Sequence, residues 1–512
     1  MIIDNISYSW INGPLVQDEL LKELSELYSH HYGVWSQYKS NGAGNPIKLS
    51  PRKLQAWLES PDSAVYYATC NQKIIGYAIA IRKRARRCGT VSWVTQLVVH
   101  TEYRDRGIAK RLLFSIWGLS NDFAWGILSA NPYAIRALEK ATRRRSIPMR
   151  IKKHIRKLME IGSESLPYIK EDTEYIVDGC VSRVNTEFFV DHADIPNMLS
   201  HVITEGLSWT LGDLPEGWEW IAFTFQDQKQ FSLSTSEIEE MIVASDDIAK
   251  QAYARMDATY QPWMRYTFEE VQFIIRECGL TPGKRLIDFG CGIGRHSNAL
   301  AEYGIHVTGV DYVDVNIKKA RKNASKVTNV EFLVDDCRTV SLEPCDAAIC
   351  LYDVVGSYAL LESNQSIINN IAKHLKPQGI AIISVMNYEL TDSIAKYRFS
   401  FSREPNKLLD LLPSTTMERT GNVFRPDYFM VDEDDHIVYR REQFTIGQDL
   451  PKELLVRDRR FTMSEIKTMC EKAGLEVVFA RYVNASNWEK SLGAIDPGAK
   501  EILLKCRKIS YS

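Results

Sequence analysis

The sequence predicts two unlike folds on one chain, an α+β domain over residues 1–160 and an α/β domain with a parallel sheet over residues 246–512. Three observations carry this expectation. Before residue 100, two amphipathic helical stretches give way to strands that follow one another without intervening helices, the layout of an antiparallel sheet. After Arg285, strands and helices alternate, which implies βαβ units in a parallel sheet with ligands at the carboxyl ends of its strands. A chain of 512 residues also exceeds what one ordinary core accommodates.

Hydrophobic content of 45% and charged content of 25% are ordinary for a folded protein. The formal net charge of −2 provides no global field to draw nucleic acid or membrane. The opening MIIDNISYSW has neither a basic region nor a long apolar run, so no secretory leader is expected. No apolar stretch approaches the roughly 20 residues of a membrane helix. Ten cysteines are scattered without a C-x-x-C pair, and Cys70, Cys350 and Cys470 sit inside apolar runs. Free thiols in a reducing compartment, the cytoplasm, explain them better than disulfides or a metal site.

In the first half, VQDELLKELSELY places Leu20, Leu21, Leu24 and Leu27 on one helical face, and Ser50 before Pro51 caps a second helix. Strands follow at AVYYATC, IIGYAIAIRKR and VSWVTQLVVH. The last ends at His100 and leads into a helix starting near Gly107, with the sequence RDRGIAKR across the junction. Exposed N–H groups at a helix start, the positive end of its dipole and nearby arginines form an anion site suited to a pyrophosphate. This stretch resembles the GNAT-type N-acetyltransferases, whose motif R/Q-x-x-G-x-G/A is matched by Arg104, Gly107 and Ala109. The strand AWGILSA and helix NPYAIRALEK extend the resemblance over roughly residues 1–145.

The resemblance implies acetyl-CoA as cofactor, held by the strand backbone at Leu97, Val98 and Val99 and by the Arg104, Arg106, Gly107, Ile108 and Ala109 segment. It places Asn131 near the acetyl group. The tyrosine acid that the family carries seven residues later is Leu138 here, which leaves Tyr133 as its candidate substitute. Two basic clusters, Arg82–Arg87 and a run of ten Lys or Arg against Glu139 over residues 136–157, could contact nucleic acid. Neither has the interleaved aromatic residues that stack bases, so a small-molecule substrate is the expected partner and nucleic acid the second choice.

Residues 161–245 read as a β-rich extension and linker helix, with Trp209, Trp218 and Trp220 close together. They either complete the first domain or form a docking surface. A helix is expected over SEIEEMIVASDDIAKQAYARM, leading into the last domain.

In the second half, RLIDFGCGIGRH reads as a strand, a glycine turn and a helix start. Glycines at 290, 292 and 294 permit positive φ and close approach of a ligand. The dinucleotide fingerprint would need glycine at 295, where Arg295 stands. Asp288 ends the first strand, and Asp311 ends the second, where a carboxylate can accept two ribose hydroxyls. Asp335 and Asp336 end the third. This pattern resembles the class I S-adenosylmethionine-dependent methyltransferases over about residues 250–390, with D/E-x-G-x-G-x-G complete at Asp288, Gly290, Gly292 and Gly294. The resemblance implies S-adenosylmethionine, with Asp311 on ribose, Asp336 and Cys337 at adenine, and Leu351 to Val354 beside the methionine part.

The signature D/N-P-P-Y is absent, since the fourth strand end reads LYDVVG, and no P-C dipeptide supplies an attacking thiol. Adenine and cytosine-C5 methylation of DNA are therefore disfavoured. Tyr352 and Asp353 are the candidate catalytic bases, ahead of His296 and His436, and His296 is expected to support the glycine turn. A non-alternating insert over about residues 395–445, with a hairpin turning at Glu433 to Asp435, is a candidate lid. The expected architecture is thus an α+β GNAT-like N-terminal domain followed by an α/β Rossmann-like class I methyltransferase domain with a lid insertion.

Overall fold

The computed structural model describes residues 6–39, 41–85, 88–118, 120–204, 208–241, 252–256, 258, 261–324, 327–420, 423–444, 451–485 and 487–509. It divides into one unit over Met1–Ser232 and Thr445–Lys452 and another over Leu233–Phe444 and Glu453–Ser512.

The first unit is built on one eight-stranded sheet: β1 (Ile6–Asn12), β2 (Ser63–Cys70), β3 (Lys73–Ala85), β4 (Gly89–Val99), β5 (Ala124–Ser129), β6 (Tyr175–Asp178), β7 (Val181–Asn185) and β8 (Trp218–Phe225), in the order β1-β2-β3-β4-β5-β8-β7-β6. Only β4 and β5 pair in parallel, because a helix over Ile108–Trp117 crosses between them. The helices Asp18–His31 and Pro51–Leu58 fall where the leucine spacing and the Ser50 cap put them, and Leu21, Leu24 and Leu54 are buried against Val65, Tyr77 and Val98. Residues 161–232 contribute β6, β7 and β8 to this same sheet, with β8 between β5 and β7. Trp93 of β4 meets Phe223 of β8 edge to face at 4.9 Å, and Trp209 packs on Trp220 at 4.8 Å.

The basic run is largely consumed inside the unit. Arg136 pairs with Glu139 at 2.6 Å and donates to the Val202 carbonyl, Arg145 also reaches Glu139, Arg144 donates to the Thr142 and Gln228 carbonyls, and Arg150 and Lys152 pair with Asp227 and Asp178. Of the other cluster, Arg86 and Arg87 lie outside the described residues. The linker helix is seen over Thr235–Met241, and residues 242–251 of its expected length also fall outside them.

The second unit carries β9 (Arg285–Phe289), β10 (His306–Asp311), β11 (Val330–Val334), β12 (Cys345–Cys350) and β13 (Leu375–Met386), the strands of the predicted alternation. The sheet order is β11-β10-β9-β12-β13-β20-β18-β19, where β18 is Leu475–Asn484 and β19 is Asn487–Leu492, and β20 (Glu501–Lys508) runs antiparallel to β13. Register aligns Asp288 with Gly309 and Ile349, and Asp311 with Val334, so the strand ends chosen from sequence share one edge. The insert forms a second sheet of β14 (Arg398–Phe399), β15 (Phe429–Asp432), β16 (Ile437–Phe444) and β17 (Lys452–Arg459). β15 and β16 are the expected hairpin, with Phe429 opposite Arg440.

Under this hairpin lies a buried ionic network. Asp458 pairs with Arg440, and its Oδ2 accepts from Arg460 at 3.0 Å; Arg460 also donates to Thr391 and to the Val423 carbonyl. Arg460 is fully buried, and removing one member of such a network strands the others without water. Asp458→Ala is expected to cost about 3–5 kcal/mol, read as an earlier urea transition, while Asp458→Asn costs less than Ala because it keeps an acceptor oxygen.

Candidate active sites

The first site is set by strand splay. β4 pairs with β5 only over Val91–Val94, so beyond that point Leu97, Val98 and Val99 pair with β3 on one side and leave their other edge without a ladder partner among the described residues. An open edge of this kind can take an extended ligand as an added strand. Immediately after it, Gly107 caps the helix Ile108–Trp117 at φ 73°, with nothing within 4 Å of where a Cβ would stand. Arg104, Arg106 and Gly107 are exposed and Ile108 is buried, so the helix start is anchored below and open above. Arg104 donates to the His31 carbonyl at 2.6 Å, and Arg106 lies over the Tyr103 ring.

Asn131 caps the helix Pro132–Thr142, its Oδ1 accepting from the Tyr133 N–H at 2.9 Å. Tyr133 is 41% exposed, and its hydroxyl lies 3.3 Å from His201 Nδ1. Leu138 is fully buried in the core, a position spent on packing.

The second site is a cavity of about 210 Å³ at the carboxyl ends of β9, β10 and β12, lined among others by Asp288, Gly290, Gly292, Asp311, Cys337, Leu351, Tyr352 and Asp353. Gly290 and Gly292 adopt φ 78° and 53°. A Cβ on Gly290 would meet Val354 at 2.3 Å, whereas one on Gly292 would meet nothing within 4 Å, so Gly292 bounds ligand space. Gly294 caps the following helix. Asp288 accepts from Ser297 Oγ at 2.6 Å, and burial raises its carboxyl to about 6. Asp311 uses one oxygen for the Gly292 N–H at 2.9 Å and the other for the Val313 N–H at 2.8 Å, which holds the turn and leaves a lone pair on each oxygen.

Asp336, the residue expected at adenine, has a partner within the chain. Arg338, two residues on, grips its carboxylate through Nε at 3.0 Å and Nη2 at 2.5 Å, and Asp336 is not among the residues lining the cavity, whereas Cys337 is.

One support behind the cavity escaped the sequence, a residue that holds the lining residues Arg295, His296 and Tyr352. Glu270, on the helix Thr267–Cys278, accepts from Arg295 Nη1 at 2.6 Å, from the Tyr352 hydroxyl, and bonds His296 Nε2 at 2.8 Å. Burial would raise Glu270, but the bonds from His296, Arg295 and Tyr352 outweigh it and hold its carboxyl below the usual range. Burial and the Arg295 charge drive His296 down to about 4, so it is neutral near pH 7. Arg295 stacks between Trp263 at 4.9 Å and Tyr352 at 5.0 Å, and its buried Nη2 has no hydrogen-bond partner. Burial raises the carboxyl of Asp353, with Asp458 adding to it and Arg440 opposing. No pattern within Glu270's own segment marks it, since its partners lie 25 to 82 positions away.

Residues 23–141 match the family model described as Acetyltransferase (GNAT) family, and residues 280–423 the model described as Methyltransferase domain. The chain therefore carries an acetyltransferase domain of GNAT type followed by a methyltransferase domain. A ubiquinone biosynthesis O-methyltransferase of Rickettsia canadensis is 30% identical over 152 residues, which is 26% of this chain and 62% of that protein. A phosphoethanolamine N-methyltransferase 1 of Triticum aestivum is 33% identical over 130 residues, 24% of this chain and 26% of its own. An S-adenosylmethionine-dependent methyltransferase of Clostridium acetobutylicum superposes with a TM-score of 0.36 at 12% identity, over 48% of this chain and 92% of its own. The chain thus spans about six-tenths of the length of the first of these relatives.

The two domains imply their cofactors, acetyl-CoA for the first and S-adenosylmethionine for the second. The residues present fit both. The open edge at Leu97–Val99 and the uncovered helix start at Gly107 suit pantetheine and pyrophosphate. The free space at Gly292, the Asp311 lone pairs and the orphaned Arg295 Nη2 suit ribose and the methionine carboxylate.

Glu501 on β20 backs this cavity, and burial with the nearby Glu270 charge lifts its carboxyl to about 8. A carboxyl raised in the folded state contributes stability that is present below the unfolded range and lost as pH rises through about 8. Glu501→Gln removes that loss, so its advantage over the parent in thermal melts grows between acidic and alkaline pH, by on the order of 1–3 kcal/mol. A gap that stays constant with pH contradicts this assignment.

Proposed function

We propose that the chain is a bifunctional transferase, joining an acetyl-CoA-dependent N-acyltransferase to an S-adenosylmethionine-dependent O- or N-methyltransferase that acts on a small metabolite or on intermediates of one pathway. The observation that carries the methyltransferase half is the convergence of the Gly292 turn, Asp311 and the unpartnered Arg295 Nη2 on one cavity. A cavity of this size, with Met386, Met417 and Arg440 also on its wall, favours a small acceptor over a nucleic acid. The internal pairing of Arg136, Arg144, Arg145 and Arg150 weakens the basic run as a nucleic-acid face. All ten cysteines are free thiols, in keeping with a reducing compartment, and no helix among the described residues is long and apolar enough to cross a membrane.

Bound S-adenosylmethionine supplies an electrophilic methyl group. Asp311 would accept the ribose hydroxyls, Arg295 Nη2 would take the methionine carboxylate, and Cys337 and Leu351 would provide apolar walls. Asp353 is the better of the two candidate bases, because it lines the cavity and desolvation raises its carboxyl above the ordinary aspartate value. Tyr352 orients instead, since burial pushes its phenol well up and its hydroxyl is committed to Glu270. On the acetyltransferase side, Asn131 stands at the helix start and Tyr133, bonded to His201, is the candidate acid.

Mass spectrometry of a cell extract incubated with the protein and both cofactors tests this reading. Metabolites should gain a methyl, an acetyl or both. Asp311→Ala is expected to abolish only methyl gain and Gly107→Glu only acetyl gain, each by about tenfold or more through lost cofactor affinity. If either variant removes both signals, two independent sites are excluded, and if neither gain appears with the parent protein the enzymatic reading fails.

A further inference from the structure

Two charged residues on the wall of the methyltransferase cavity each leave an edge open. Asp353, just past β12, lines the cavity, and no other described residue donates a hydrogen bond to its carboxylate. Arg440, on β16 of the insert, lines it too. Its Nη1 is paired with Asp458 and its Nε donates to Glu442 at 3.3 Å, which leaves Nη2 as the guanidinium nitrogen with no hydrogen-bond partner among the described residues. Arg440 and Asp353 feel each other's charge without forming an ion pair.

The rest of this wall is largely apolar. Met386 ends β13, and Met417 and Val423 come from the insert, elements other than those that carry the glycine turn and Asp311. Tyr253 adds a phenol. Behind the wall, Arg440 and Arg460 face Asp458 and Glu442, so two guanidiniums are already balanced by two carboxylates before Asp353 is counted. Asp353 is therefore the surplus acid of the group, and burial with the Asp458 charge raises its carboxyl.

A carboxylate that faces a cavity without a donor is costly unless a ligand supplies one, and the surplus negative charge selects a cation over a phenolate or a carboxylate. An apolar amine alone would satisfy Asp353 and leave the Arg440 Nη2 bare. A ligand with an ammonium on one carbon and a carbonyl or carboxylate oxygen on the next meets both open edges, each through a charge-assisted hydrogen bond. The adaptable thioether side chains of Met386 and Met417 suit an apolar body beyond these two groups.

We infer that Asp353 and Arg440 form the acceptor subsite of the methyltransferase domain, and that the acceptor is an α-amino acid or an α-amino amide with an apolar side chain, its ammonium on Asp353 and its carbonyl oxygen on Arg440 Nη2. This rests on the methyltransferase reading of the cavity and narrows its small acceptor to one chemical class. Arg295 Nη2, also without a partner, stays available for the methionine carboxylate of the cofactor, so donor and acceptor each meet a guanidinium of their own. The insert thereby supplies half of the acceptor contacts, and the strand end at Asp353 the other half.

Calorimetric titration of the full chain, saturated with S-adenosylhomocysteine, tests the subsite without turnover. The probes are leucine, leucinamide, 3-methylbutylamine, which lacks the carbonyl group, and 4-methylpentanoate, which lacks the ammonium. Leucine or leucinamide is expected to bind about tenfold tighter than 3-methylbutylamine, the worth of one charge-assisted contact, and 4-methylpentanoate weakest of all. Whichever of the first two binds tighter tells whether the acceptor is a free amino acid or an amide. Asp353→Asn should weaken leucine and 3-methylbutylamine alike by about tenfold. Arg440→Lys should bring leucine and leucinamide down to the level of 3-methylbutylamine and leave that amine unchanged. If Arg440→Lys does not fold, the probe series on the parent protein reads the same contact. The proposal is overturned if neither leucine nor leucinamide binds tighter than the amine, if 4-methylpentanoate matches them, or if Asp353→Asn changes nothing. It is overturned equally if the variants weaken S-adenosylhomocysteine as much as leucine, since the pair would then hold the cofactor. Should S-adenosylhomocysteine itself fail to bind the parent, the methyltransferase reading falls, and the same probes titrated without it still decide the subsite.

Discussion

A carboxylate taken out of water must be paired or stay protonated, and Glu270 is where the second unit meets that constraint. It receives hydrogen bonds from Arg295, just past the glycine turn, and from Tyr352, just past β12, and it bonds His296. Three segments far apart in sequence are thereby tied to one helix. The tie also holds backbone strain: Tyr352 sits at φ 67°, a conformation disfavoured for a residue with a Cβ, and is fixed by its phenol on Glu270 and its N–H on Ser384 Oγ at 2.6 Å. This carboxylate thereby holds three residues that line the cavity, Arg295, His296 and Tyr352.

What the sequence made legible was local. The glycine turn declares itself within seven residues, because positive φ at Gly290 and Gly292 needs glycine whatever the rest of the chain does. Asp288 and Asp311 were legible because each ends a strand marked by β-favouring apolar residues, and register then aligns those ends. The GNAT-like helix start was legible for the same reason, since Arg104, Gly107 and Ala109 span a single turn and cap.

The features that sequence reasoning missed are pairings at a distance. Glu270, Glu501 and Arg440 belong to elements separated by scores of residues, and nothing in their own segments distinguishes them from surface charges. The placement of β8 was hidden in a similar way, because it inserts between β5 and β7 rather than beside its neighbours in sequence. Asp336 shows the converse. Its position at a strand end was read well, but an arginine two residues on competes for the same carboxylate, and a bidentate contact at that range forms readily.

The two units treat a buried acid in opposite ways, and the difference indicates what each is built to meet. Glu270 is saturated by protein donors, so it can offer a ligand little; the group left open beside it is the cationic Arg295 Nη2, which calls for an anionic partner. Glu219 has one donor, Thr186, and no cation acting on it among the described residues, so burial lifts its carboxyl to about 7. The same logic accounts for Leu138, where the resemblance would put a tyrosine acid. That position is sealed in the core of the helix Pro132–Thr142, so a proton-carrying group there would have no route to a ligand.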